Sequence, residues 1–227
     1  MGAQDTIEHR RLDQQHRVYT IALGGLFPAV PLVRWALRPR RNVTPAILDV
    51  GTGSGIWSIR DFPNFLNELA QSLRPSGVLL LGEGELQLYD EQKKPISFSE
   101  PNSSALHRIF FAAYNAMKNR GGSPDAPFMS PTWLRANDSL TDVGWHKEFI
   151  PIGPWIYEAA NEGEKMLADM LRTNCYGYIS GMGPLLFSDG YLPESIEKMQ
   201  REAITELQEL RVRLYSRWSF AWAVKKP

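Results

Sequence analysis

Apolar residues along this chain fall into two rhythms. From Phe62 to Leu73 they recur at Phe62, Phe65, Leu66, Leu69, Ala70 and Leu73, the spacing of one helix face. Arg74, Pro75, Ser76 and Gly77 end that helix, and Val78 to Leu81 is an apolar run of strand length. A shorter run, Ala46 to Val50, lies between Pro45 and Gly51 and reads as a buried strand. Strand, glycine turn, helix and strand together predict a βαβ unit with a right-handed crossover.

The same rhythms continue on both sides of this unit. Asp5 to Leu23 reads as a helix stopped by Gly24 and Gly25, and LFPAVPLVRWAL as a short apolar piece interrupted by Pro28 and Pro31. Ser103 to Lys118 is a helix with Leu106, Ile109, Phe110 and Ala113 inward, and a short helical piece covers Pro131 to Ala136. Trp145 to Ile152 is a strand, Asn161 to Ile179 a helix, and GMGPLLFSDGYLP a connector. Glu194 to Leu214 is the longest helix, with alternating charges outward. Trp218, Phe220, Trp222 and Val224 alternate as in a closing strand.

Composition narrows the classes. Lys plus Arg and Asp plus Glu number 25 each, so no net field draws nucleic acid or an anionic membrane surface. One cysteine, Cys175, excludes an intrachain disulfide and a multi-cysteine metal site. The N-terminus lacks an apolar leader and no run approaches the roughly 20 apolar residues of a membrane span. An intracellular location, cytoplasmic or nuclear, is expected. His9, His16, His107 and His146 have no paired metal spacing, and no Gly-x-Ser-x-Gly elbow occurs, so no metal or hydrolase set is expected.

The chemistry concentrates in ILDVGTGSGIW. A strand running into Gly51, Gly53 and Gly55 allows close approach of a ligand to backbone N–H groups, and a following helix points its positive end at it. Ile56 stands where a dinucleotide fingerprint has its last glycine, which disfavours a nicotinamide oxidoreductase. No Lys-Ser or Lys-Thr follows the loop, so it is no nucleotide-hydrolase P-loop. Asp49, two positions before the first glycine, suits a ligand carrying an ammonium group. Glu83, after the strand Val78 to Leu81, is expected at the strand exit, where ligands of open α/β sheets bind; a surface acid is the alternative.

ILDVGTGSGIW resembles the nucleotide-binding motif of class I S-adenosylmethionine-dependent methyltransferases. More narrowly, the chain resembles the fungal branch related to velvet-complex regulators of secondary metabolism. IEHRRLDQQHRVYTIALGGL, LNELAQSLRPSGVLLLGEGEL, FMSPTWLRANDSLTDVGW, PIGPW and RLYSRWSFAWAVKKP follow in that branch's order. The resemblance implies a Rossmann-like fold with a reduced sheet and a helical cap. It divides the single domain into an N-terminal helical segment (1–45), a reduced core (46–160), a helical insertion (161–214) and a closing strand (215–227). It implies S-adenosylmethionine as cofactor, held by Asp49, Gly51, Gly53 and Gly55, with Thr52, Ser54 and Trp57 beside them. Gln15 and His16 match the branch's N-terminal Gln-His pair, which would close over the cofactor side. The acceptor would be a small molecule or a protein.

One departure from the family is visible in the spacing. A second strand with a ribose-binding acid, and two further strands, should separate the glycine loop from LRPSG. Here the chain passes at Ile59 and Arg60 straight into the later helix. Glu83 is the candidate to replace the missing acid, partly. A methyltransferase and a non-catalytic, methyltransferase-like binding or regulatory protein are therefore the two function classes carried forward.

Overall fold

The computed structural model describes residues 3–39, 44–48, 61–97, 104–155 and 160–227, and in its first helix the side chains from Arg11 onward. The glycine loop, with Asp49, Gly51, Thr52, Gly53, Ser54, Gly55 and Trp57, lies outside the described residues, as does the seam at Ile59 and Arg60.

Helix α1 spans Ala3–Ala22 and α2 spans Val30–Ala36, where Pro31 sits in the first turn, the place a helix tolerates it. Helix α3, Phe62–Ser72, starts where the Asp61 carboxylate accepts the Asn64 backbone N–H at 3.0 Å. Strand β1, Val78–Tyr89, is three times the predicted apolar run, because it carries on through Glu83 and Glu85. Helices α4 (Ala105–Asn119) and α5 (Ala126–Ala136) lead to β2 (Leu140–Pro151). Helix α6 (Glu162–Gly181) opens with a reciprocal Asn161 and Glu164 capping box. The predicted connector after it contains the short helix α7 (Gly183–Ser188).

Helix α8 covers Pro193–Glu209 and does not reach Leu214 as periodicity predicts. Leu210 takes a left-handed φ of 51°, and its side chain fills the space beside Gly153, where a Cβ would lie 2.5 Å from it. The redirected chain lets the Leu214 carbonyl accept the Ile152 N–H at 2.8 Å and feeds β3, Tyr215–Lys225.

The described sheet has the order β1-β3-β2, and both pairings are antiparallel. This corrects the βαβ expectation: no parallel pair is present among the described residues. Ala46 to Leu48 also carry no regular structure, and Ile47 and Leu48 are 75% and 73% exposed instead of buried. An apolar run bounded by turns shows that a strand can form but not which neighbour it takes. Here β3 supplies the partner for β1, with Val78 opposite Val224 and Gly84 opposite Trp218.

Alternation along β3 divides the core between the two faces of the sheet. Trp218 and Phe220 face Leu106, Ile109 and Phe110 of α4, Leu171, Cys175 and Ile179 of α6, and Ala203 and Leu207 of α8. Ala221 and Ala223 face Phe62, Leu66 and Ala70 of α3 and Leu134 of α5. The result is a mixed α/β arrangement with a small antiparallel sheet between two helical layers. Gly84 is required where it stands, since a Cβ there would lie 2.4 Å from the Trp218 ring.

Candidate functional site

Glu83 is the predicted site residue that lies within the described residues. It is not at a strand exit as expected but inside β1, opposite Ser219. Regular pairing of β1 with β3 nonetheless breaks just beyond it, between Gly84 and Leu88. Glu83 therefore sits one residue before an irregularity, a common place for functional side chains in sheets. Its side chain is half-buried, and among the described residues no donor hydrogen-bonds its carboxyl. Burial alone pushes its pKa up to about 8, so the group is largely protonated at neutral pH.

Helix α1 brings a second set of polar groups toward this region at four-residue spacing, which places them on one helix face. The Arg11 guanidinium donates to the Gln15 side-chain oxygen at 2.7 Å, and the Gln15 amide donates to the Tyr19 hydroxyl at 2.5 Å. Tyr178 of α6 donates to the same Gln15 oxygen at 3.3 Å, and Arg11 lies over the Tyr178 ring at 4.5 Å. The Tyr19 ring rests on Trp218, centroids 4.4 Å apart, and Trp218 in turn covers Gly84. Tyr19 titrates well above its ordinary value because it is buried, with Tyr178 and the Glu83 carboxylate adding to the effect. Glu83 is thus within electrostatic reach of the α1 network.

The expected Gln-His pair divides. Gln15 is the centre of this network, whereas His16 is exposed on the other side of α1. The Trp218 indole N–H is buried with no acceptor among the described residues.

Sequence reasoning did not single out Glu85. It is 2% exposed and accepts hydrogen bonds from three side chains: Arg217 Nε at 2.7 Å, the Tyr89 hydroxyl at 2.5 Å and the Ser219 hydroxyl at 3.0 Å. The signal was the alternation of Arg217 and Ser219 with Trp218 and Phe220 on β3, which marks a polar stripe on an otherwise apolar strand.

A hollow of about 410 Å³ lies between α1 and α6, with Gln14, Lys165, Met166, Asp169 and Thr173 in its walls. Glu83 is not among them. Among the described residues no group of three or more His, Cys, Asp or Glu side chains is placed to hold a metal ion. No described helix is long and apolar enough to cross a membrane.

The chain is 25% identical, over 161 residues, to the secondary metabolism regulator laeA of Coprinopsis cinerea, covering 70% of this chain and 39% of that protein. It is 23% identical to the methyltransferase pytC of Aspergillus terreus, over 85% of this chain and 72% of the relative. These similarities support a methyltransferase-like family. The match to the Aspergillus protein runs over 252 positions, more than the 227 residues of this chain, so that relative carries residues with no counterpart here. No protein-family profile matches the chain, and no solved structure does.

Proposed function

We propose that this protein binds S-adenosylmethionine on a Rossmann-like class I scaffold and transfers its methyl group to a small molecule or a protein. The reading is carried by Glu83, a half-buried carboxyl that meets no donor among the described residues, in the strand following LRPSG. Similarity to a fungal methyltransferase and to a regulator of secondary metabolism supports it.

In this reading Asp49 accepts from the amino group of the cofactor, and the backbone of Gly51, Gly53 and Gly55 lies against its amino-acid portion. Thr52 and Trp57 flank that portion. Glu83 meets the ribose hydroxyls, which supply the hydrogen-bond donors its carboxyl otherwise lacks. The cofactor supplies a methyl group on a positively charged sulfur. The protein's own residues hold donor and acceptor in line and exclude water, which is much of what such a reaction asks of them. This reading takes part of the central sheet to be missing between the glycine loop and LRPSG.

Calorimetric titration with S-adenosylhomocysteine tests the reading. Saturable binding is expected, weakened roughly tenfold by Glu83→Gln, the loss of about one charged hydrogen bond. Hydroxyls donating to Glu83 favour its ionised form, so affinity should rise as pH passes upward through about 8, and the variant should lose that rise. Absence of binding sinks the proposal. Binding without methyl transfer to any acceptor would instead favour a non-catalytic, methyltransferase-like regulator.

A further inference from the structure

The face of the sheet that carries Glu85 is covered in two different ways. Toward Val78 and Lys225, α3 and α5 lay Phe62, Leu66, Ala70 and Leu134 on it. Toward Tyr89 and Tyr215, its surface is aromatic. Tyr89 and Phe149 meet edge to face at 5.1 Å, Phe149 and Tyr215 at 6.3 Å, and Tyr215 and Trp155 at 5.1 Å.

Cationic side chains lie on these rings. Arg217 has its Cζ 4.5 Å from the Tyr89 centroid and 5.6 Å from that of Phe149, and its charge is balanced by Glu85. Lys93 is different. Its ammonium stands 5.4 Å from the Phe149 centroid and 5.2 Å from that of Tyr215, in the corner of two rings set at 89°. No carboxylate pairs with it among the described residues. It is exposed, and it reaches the corner from a turn in which its own φ is +60°, a conformation unfavourable for a side chain of this kind.

We propose that the corner formed by Phe149, Tyr215 and Trp155 is a binding site for an alkylated ammonium group, and that Lys93 is the chain's own occupant of it. Perpendicular ring faces offer negative potential from two sides to one cation. A methylated ammonium is less strongly hydrated than the Lys93 ammonium, so it gives up less on leaving water. An acidic neighbour favours a cation there. Burial raises the pKa of the Tyr215 hydroxyl and Glu164 is close enough to add to that rise, whereas Glu91, in the same turn as Lys93, is already paired with Arg213 at 3.2 Å. The site stands independently of cofactor binding.

The test uses the full chain and tetramethylammonium chloride at constant ionic strength, read from the Trp155 indole N–H resonance, assigned with Trp155→Phe. That N–H donates to the Leu214 carbonyl at 3.3 Å, so it reports the corner directly. A saturable shift is expected. Lys93→Ala should lower the half-saturating concentration roughly three- to tenfold by removing the competing cation, while Tyr215→Leu, shown by circular dichroism to be folded, should abolish the shift. A neutral tert-butyl alcohol of the same shape should give none. Choline and a trimethyllysine peptide then distinguish a small-molecule ligand from a modified side chain, the tighter binder naming the source. No saturable shift in either the wild type or Lys93→Ala, or equal binding of the neutral isostere, overturns the proposal.

Discussion

Glu83 and Glu85 stand two residues apart on β1, in opposite surroundings. Glu85 is enclosed and fully supplied, with Arg217, Tyr89 and Ser219 all donating to it. Glu83, opposite that same Ser219 in the ladder, is half-buried and receives no hydrogen bond from the described residues. A buried carboxylate with its donors in place holds structure together, whereas a carboxyl enclosed without them is a cost that folding alone does not explain. The pair separates a structural acid from a candidate ligand-binding acid within a single strand.

The largest effect should come from cutting the supply to Glu85. Arg217→Ala leaves a buried carboxylate uncompensated and is expected to cost about 3–5 kcal/mol, read as a fall in the urea midpoint. A loss below about 1 kcal/mol would mean that Glu85 is no more a structural acid than Glu83. Next comes Glu83 itself. Its folded pKa, raised to about 8, lies above the unfolded value of about 4.5, so the folded state holds an extra proton between them. Stability should therefore decline as pH rises from about 4.5 to about 8, by on the order of 2 kcal/mol once partial exposure is allowed for. Glu83→Gln should flatten that slope in thermal melts at several pH values, and an unchanged slope would remove the distinction. The smallest effect should follow Ser219→Ala, which withdraws one donor of three from Glu85. A loss of about 1 kcal/mol, with S-adenosylhomocysteine affinity unchanged, would confirm that Ser219 serves Glu85 and not its cross-strand partner.

How far the sequence could be read varies with the distance over which each feature is determined. Helix α3 was legible almost to the residue because Phe62, Leu66 and Ala70 carry their own period and Asp61 its own cap. The three strands were legible as strands, but not their mutual direction, which depends on β3 finding β1 and β2 from far along the chain. Glu83 was legible as a candidate, while its position inside the ladder was hidden because β1 runs past two acids and two glycines that look like a turn. The Glu85 and Arg217 pair was not legible, since the two residues meet only when the register of β1 on β3 is known. Ile47 and Leu48 read as core because they are apolar, and their exposure shows that a hydrophobic run is buried only where a partner covers it.

The position of β3 between β1 and β2 sets an order of events during synthesis. Neither outer strand can pair within this sheet until Tyr215 to Lys225 have been made, so β1 waits from Val78 until its partner Val224 appears. Folding that depends on such distant pairings is slow, because chain ends far apart must meet before any ladder bond rewards the loss of freedom. Until then the apolar segments Val78 to Leu81 and Phe149 to Ile152 present open edges to other chains. Yield of the folded protein should accordingly depend on dilution and on chaperones that shield nascent strands.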